Sequence, residues 1–169
     1  EFFLIHSAAV RPGMPSPGPR ANAAASVIAG ILALLTAVML VWFALYNVVL
    51  ATGANGRWSS VELVNMLGGI AGAGLLLVAA GFTFARRISG AWTLCGLCVL
   101  YVTATIFLAP LLWGTSLGAQ LEFVFGFDQG DGVAVALAVI FSVLTAAMAA
   151  IAGGVKSYEP TAAVPGDRR

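Results

Sequence analysis

Four long apolar runs, separated by short polar stretches, set the pattern of the chain: Ala23 to Leu50, Val61 to Ala85, Ala91 to Trp113 and Val133 to Val155. None holds Asp, Glu, Lys or Arg away from its ends. A bilayer core about 30 Å thick needs about 20 apolar helical residues per crossing, and each run meets that length. Segments of about ten residues alternating polar with apolar, which a membrane β-barrel requires, are absent from the sequence. The pattern predicts an all-α integral membrane protein, an up-and-down bundle of four transmembrane helices.

The stretches between the runs carry helix-end chemistry. Asn22 is placed to cap the first span. That span is longer than one crossing needs, so it should tilt or project beyond the lipid. Ser59-Ser60-Val61-Glu62 reads as a capping box, which makes Glu62 a helix cap rather than a proton carrier. Pro110 is expected to kink or end the third span, and Asp131 to cap the fourth. Trp42, Tyr46, Trp92 and Trp113 lie near span ends, where amphipathic rings favour the headgroup level. Connections of about ten, five and nineteen residues make sequential helices antiparallel neighbours.

Composition fits this picture. Of 169 residues 60% are hydrophobic and only 9% charged, with a mean hydropathy of +0.99, too few charges to clothe a soluble domain. The distribution of charge matters more than its sum. With four spans both termini share one side with the Arg86-Arg87 elbow, and seven of the eight basic residues fall there, leaving Arg57 across the bilayer. The positive-inside rule then makes the elbow and both termini cytoplasmic, N-in and C-in, in a bacterial inner membrane. Glu62, Glu122, Asp128 and Asp131 fall on the outer side. Arg86 and Arg87 are thus the topology-setting pair.

Residues 1–21 read as a disordered leader with Pro15, Pro17 and Pro19 at alternate positions. Met14 is a plausible natural start and Glu1-Phe2 a plausible cloning remnant. Residues 22–155 make the four-helix membrane domain, and 156–169 a disordered cytoplasmic tail.

Cys95-Gly96-Leu97-Cys98 is the sharpest candidate for chemistry, since thiols at i and i+3 of a helix can exchange disulfides or bind a soft metal. In outline it resembles the membrane thiol oxidoreductases that pass electrons to quinone, with four helices and a CxxC inside a span. Those families need a second cysteine pair, and this chain has two cysteines in all. Their motif also faces the oxidising side, whereas Cys95 follows the cytoplasmic elbow by about five residues, roughly 7 Å. Packing is the favoured role for Cys95 and Cys98. A proton-coupled transporter needs an ionisable group at mid-membrane, which no span supplies. His6, the sole histidine, lies outside the spans and leaves haem without a ligand. No cofactor, metal, catalytic residue or nucleic-acid partner is expected.

Gly68 and Gly72 form GxxxG, with Gly69 and Ala73 offset by one, giving the second span a face that another helix can approach closely. Ala134, Ala138, Ala146, Ala147 and Ala150 suggest a similar face on the fourth. Phe123, Phe125 and Phe127 alternate between acids in the longest connection, either as partner contacts or as shallow anchors in the outer leaflet. Such features suit a non-enzymatic accessory or stabilising subunit of a larger membrane complex, with Gly68, Gly72 and the three Phe as candidate contacts. The alternatives are a small homo-oligomeric transporter or a thiol redox protein using Cys95 and Cys98. With its Pro-rich leader Met14 to Arg20 and its bias to Ala, Gly and Arg, the chain resembles the small four-span membrane proteins of unassigned function found in actinobacteria such as mycobacteria. Some of these accompany lipid-transport or respiratory assemblies, and the resemblance implies a role of that kind.

Overall fold

The computed structural model describes residues 20–53, 59–127 and 130–157. The proline leader, Arg57, Asp128 and the tail beyond 157 lie outside the described residues. Among the described residues the regular structure is helical apart from one two-residue strand pair, and four helices are long and apolar enough to cross a membrane. They are α1 (Ala23–Gly53), α2 (Ser60–Phe84), a third span made of α3 (Ile88–Thr103), a π-helical turn (Ala104–Leu108) and α4 (Ala109–Trp113), and α6 (Gly130–Gly154). A short α5 (Leu117–Phe125) crosses between the third and fourth spans.

The helix starts follow from their caps. Asn22 Oδ1 accepts from the Ala25 N–H at 3.1 Å. At α2 the capping box is complete: Ser59 Oγ accepts from the Glu62 N–H at 3.3 Å, and a Glu62 carboxylate oxygen accepts from the Ser59 N–H at 2.8 Å. Helix α6 starts at Gly130, one residue before Asp131, so Asp131 sits in its first turn and its Oδ1 takes the adjacent Gly132 N–H at 2.8 Å.

Helix α1 lies between α2 and α6 and packs along both, while the third span packs on α6 and more sparsely on α2. Apolar side chains gain little by leaving lipid for protein, so close backbone approach and hydrogen bonds hold membrane helices together. The buried face of α1 shows this directly: Ala25, Ala29, Ala33, Ala37 and Ala44 point inward, while Ile31, Val38 and Leu45 point out. On α2 the contact falls on Gly69 and Ala73, both buried. A Cβ on Gly69 would stand 2.9 Å from the Leu40 carbonyl oxygen, which shows how near the two backbones run. The pairing is antiparallel, since Ala44 meets Gly69, Leu40 meets Gly72, and Asn65 donates to Asn47 Oδ1 at 3.2 Å. The inward stripe of α6 is Ala134, Ala138, Ser142, Thr145, Ala149 and Ala152, whereas Ala146, Ala147 and Ala150 are half-buried or exposed.

Hydroxyls within the spans turn back on their own helices, Thr36 to the Leu32 carbonyl, Thr83 to Ala79 and Thr145 to Phe141, at 2.7–3.0 Å. This removes the cost of carrying an unpaired polar group into a dry interior. Ser26 and Ser142 Oγ are buried without a hydrogen-bond partner.

At the elbow the chain turns through Arg86, whose φ of 55° is unusual for a residue with a Cβ. A reciprocal pair fixes it there: the Ala21 N–H donates to the Arg86 carbonyl and Arg86 Nε donates to the Ala21 carbonyl, both at 3.2 Å. Asn22 N–H donates to the Ala152 carbonyl at 3.1 Å, and residues Arg20–Ala21 pair antiparallel with Lys156–Ser157. The start of α1, the elbow and the end of α6 therefore meet at one end of the molecule. Arg87 lies 5.6 Å from the centre of the Phe82 ring, a cation–π distance. Gly90 is obligatory at this corner, because a Cβ there would lie 2.6 Å from Phe82 Cβ and 2.7 Å from its carbonyl carbon.

Candidate functional site: a cleft at the far end of the spans

Pro110 shapes the far end of the third span. Instead of ending the helix, it sits buried inside it, and the helix continues to Trp113 before closing on Gly114 at a φ of 67°. The adjustment lies just upstream, where Ala109 N–H reaches back five residues to the Ala104 carbonyl and opens a π-turn. The Thr105 carbonyl then loses its α-helical donor, and the next residue in line is the proline, which has no N–H. Gln120 fills the vacancy: its Nε2 donates to the Thr105 carbonyl at 2.9 Å. One side chain thus completes the π-turn and ties α5 to the third span.

Helix α5 is a folded element inside what the sequence suggests is a nineteen-residue loop. Ser116 Oγ caps it by accepting from the Ala119 N–H at 3.2 Å. Val124 is fully buried with Val135, Ala136 and Val139 of α6, and Tyr101, Val102 and Ile106 of the third span cover that cluster. Gly132 meets the α5 backbone, since a Cβ there would come within 2.9 Å of the Phe123 carbonyl oxygen. The three alternate Phe residues are all exposed, Phe123 at 41%, Phe125 at 43% and Phe127 at 51%, and Phe123 also borders a cavity.

That cavity is a cleft at the far end of the spans. It has a volume of about 480 Å3 and lies between α2 and the distal half of the third span, floored by Leu40 and Phe43 of α1. Gly68 and Gly72 form part of the α2 wall; Leu108, Leu112 and Trp113 form the opposite wall, and Phe123 closes the end. The α2 glycines therefore divide their labour. Gly69 takes the helix contact, Gly72 touches only Leu40 Cδ1 at the position of a missing Cβ, and Gly68 has nothing within 4 Å. The polar groups that converge on the space are Asn65, Tyr101, Thr105, Gln120 and Asp131. Asn65 Nδ2 is committed to Asn47, whose own Nδ2 donates to the Phe43 carbonyl at 2.8 Å, so the amide chain is anchored in α1.

Of the residues singled out in the sequence, the cleft unites Gly68, Gly72 and Phe123. Arg86 and Arg87 stand at the opposite end. Cys95 and Cys98 are free thiols in the main core beside Leu94, with Cys98 fully buried next to the Ser142 and Thr145 hydroxyls. Among the described residues no three His, Cys, Asp or Glu side chains gather as a metal site would need. Sequence reasoning missed the polar lining. Asn65 and Thr105 look like ordinary intrahelical polar residues, Asp131 like a cap, and Gln120 like part of a loop. Compared with protein-family models, curated proteins and solved structures, the chain matches none.

Proposed function

We propose that the protein is a non-enzymatic accessory subunit of a larger membrane assembly, with the third span and α5 as its docking side. The supporting observation is the lopsided packing of the helices. Only 17% of the third span's most apolar window is buried, against 39% for α1 and 44% for α6. Leu111 is 80% exposed, with Phe107, Leu112 and the α5 residue Phe125 also uncovered. In the proposed topology the elbow, held at one end with the start of α1 and the end of α6, faces the cytoplasm, and the cleft opens toward the outer leaflet of an inner membrane.

A photo-crosslinking residue placed at Leu111 or Phe125, with Val78 on α2 as the control, tests the docking side in the native membrane. The subunit reading expects one membrane protein crosslinked at fixed yield from the first two positions and not from Val78. Crosslinks to lipid alone, or to the same species from all three positions, would defeat it. Reporter fusions test the orientation: a periplasm-active enzyme working after residue 157 would invert it.

A further inference from the structure

We propose that the cleft binds a small amphiphile with a cationic head, a protonated amine or quaternary ammonium, whose apolar body lies along the Gly68–Gly72 wall. This goes beyond the subunit reading and stands or falls independently of it.

Size comes first. A cavity of about 480 Å3 falls within the roughly 300–1,000 Å3 of small-molecule sites. The absence of any atom within 4 Å of a Gly68 Cβ leaves space for an apolar chain against the backbone of α2.

Charge selects the head. Among the described residues Asp131 is the sole charged one lining the cleft, and no described Lys, Arg or His joins it there. Among the described residues its carboxylate has no ion-pair partner, and its one hydrogen bond is the short contact to its own neighbour Gly132. Among the described lining residues no cationic side chain would receive an anionic head, whereas a cation gains the attraction of the carboxylate. Aromatic side chains supply the second half of a cation site: Phe43, Tyr101, Trp113 and Phe123 all line the same space, and ring faces attract ammonium groups. Asn65 and Gln120 already hold specific protein partners, so they order the wall without adding charge.

The test uses the full chain in phosphatidylcholine nanodiscs, titrated with dodecyltrimethylammonium, dodecyl glucoside and dodecanoate, with empty discs subtracted and Trp fluorescence as the readout. The proposal expects saturable binding of the cation about tenfold tighter than the neutral or anionic probe, a ratio typical of one ammonium–aromatic and carboxylate site. Asp131→Asn should erase that preference, and Gly68→Leu should weaken all three probes by filling the chain's path. Equal affinity for the three heads, no saturation above empty discs, or a cation preference that survives Asp131→Asn overturns it. If Asp131→Asn does not fold, Gly68→Leu carries the decision, because its side chain enters open space: undiminished cation binding there also overturns the proposal.

Discussion

Replacing Gly69 and Gly68 by Ala in turn separates helix packing from helix propensity on adjacent residues. Both changes remove a mid-helix glycine, which alone favours the helix by about 1 kcal/mol. At Gly68 the new methyl meets nothing within 4 Å, so that gain should appear almost undiminished. At Gly69 the methyl would stand 2.9 Å from the Leu40 carbonyl oxygen and 3.1 Å from Ala44 Cβ, well inside the usual 3.5–4.0 Å carbon contact. Helices α1 and α2 must then part by about half an ångström or more, and a gap of that size forfeits a quarter or more of each dispersion contact along the seam. Overpacking of this kind costs about 1–3 kcal/mol. Since the propensity gain is common to both, the difference between the two variants reads the packing cost directly. Reversible unfolding in mixed dodecylmaltoside–dodecylsulfate micelles, followed by Trp fluorescence, should place Gly69→Ala below Gly68→Ala by about 1–3 kcal/mol. Equal stability, or the reverse order, would refute the close α1–α2 contact.

Further outcomes are expected elsewhere in the molecule. Gln120→Leu strips the Thr105 carbonyl of its donor and should destabilise by about 1–3 kcal/mol, with faster amide exchange confined to the π-turn and α5; uniform exchange changes would contradict this local role. Gly90→Ala should displace the elbow, because its methyl collides with Phe82, and should lower the melting temperature far more than Gly96→Ala, whose methyl meets nothing; equal melting temperatures would contradict the tight corner. Ser59→Ala should lose about 0.5–2 kcal/mol through the broken capping box, and a neutral result would show that the box contributes nothing to α2. Under native conditions a maleimide should modify half-buried Cys95 well before fully buried Cys98, and equal rates would contradict the packing of Cys98 against α6.

The four spans and two of their caps were legible because they depend on local pattern: uncharged runs of sufficient length, Asn22 before the first, and Ser59 three residues ahead of Glu62. Small-residue contacts were half legible. Glycine marks a close approach plainly, but the register within GxxxG depends on which face meets α1, and Gly69 rather than Gly68 took the contact. The matching face of α1, Ala25 through Ala44, went unread because alanine is common throughout that span and only packing shows which alanines are buried. The cleft was not legible at all. It is bordered by the π-turn upstream of Pro110, where Gln120 donates to the Thr105 carbonyl fifteen residues earlier in the chain, and no local pattern couples those positions. Helix α5 was hidden by the alternation of Phe123, Phe125 and Phe127, a strand-like period whose buried member is the intervening Val124.

Native mass spectrometry of the protein extracted from its own membrane in a mild detergent tests whether the chain is, as proposed, one part of a larger membrane assembly. The expected result is a complex in which this chain accompanies a second, larger membrane protein in fixed stoichiometry, lost together with the Leu111 crosslink when that face is altered. A lone monomer, or an oligomer of this chain only, would contradict it.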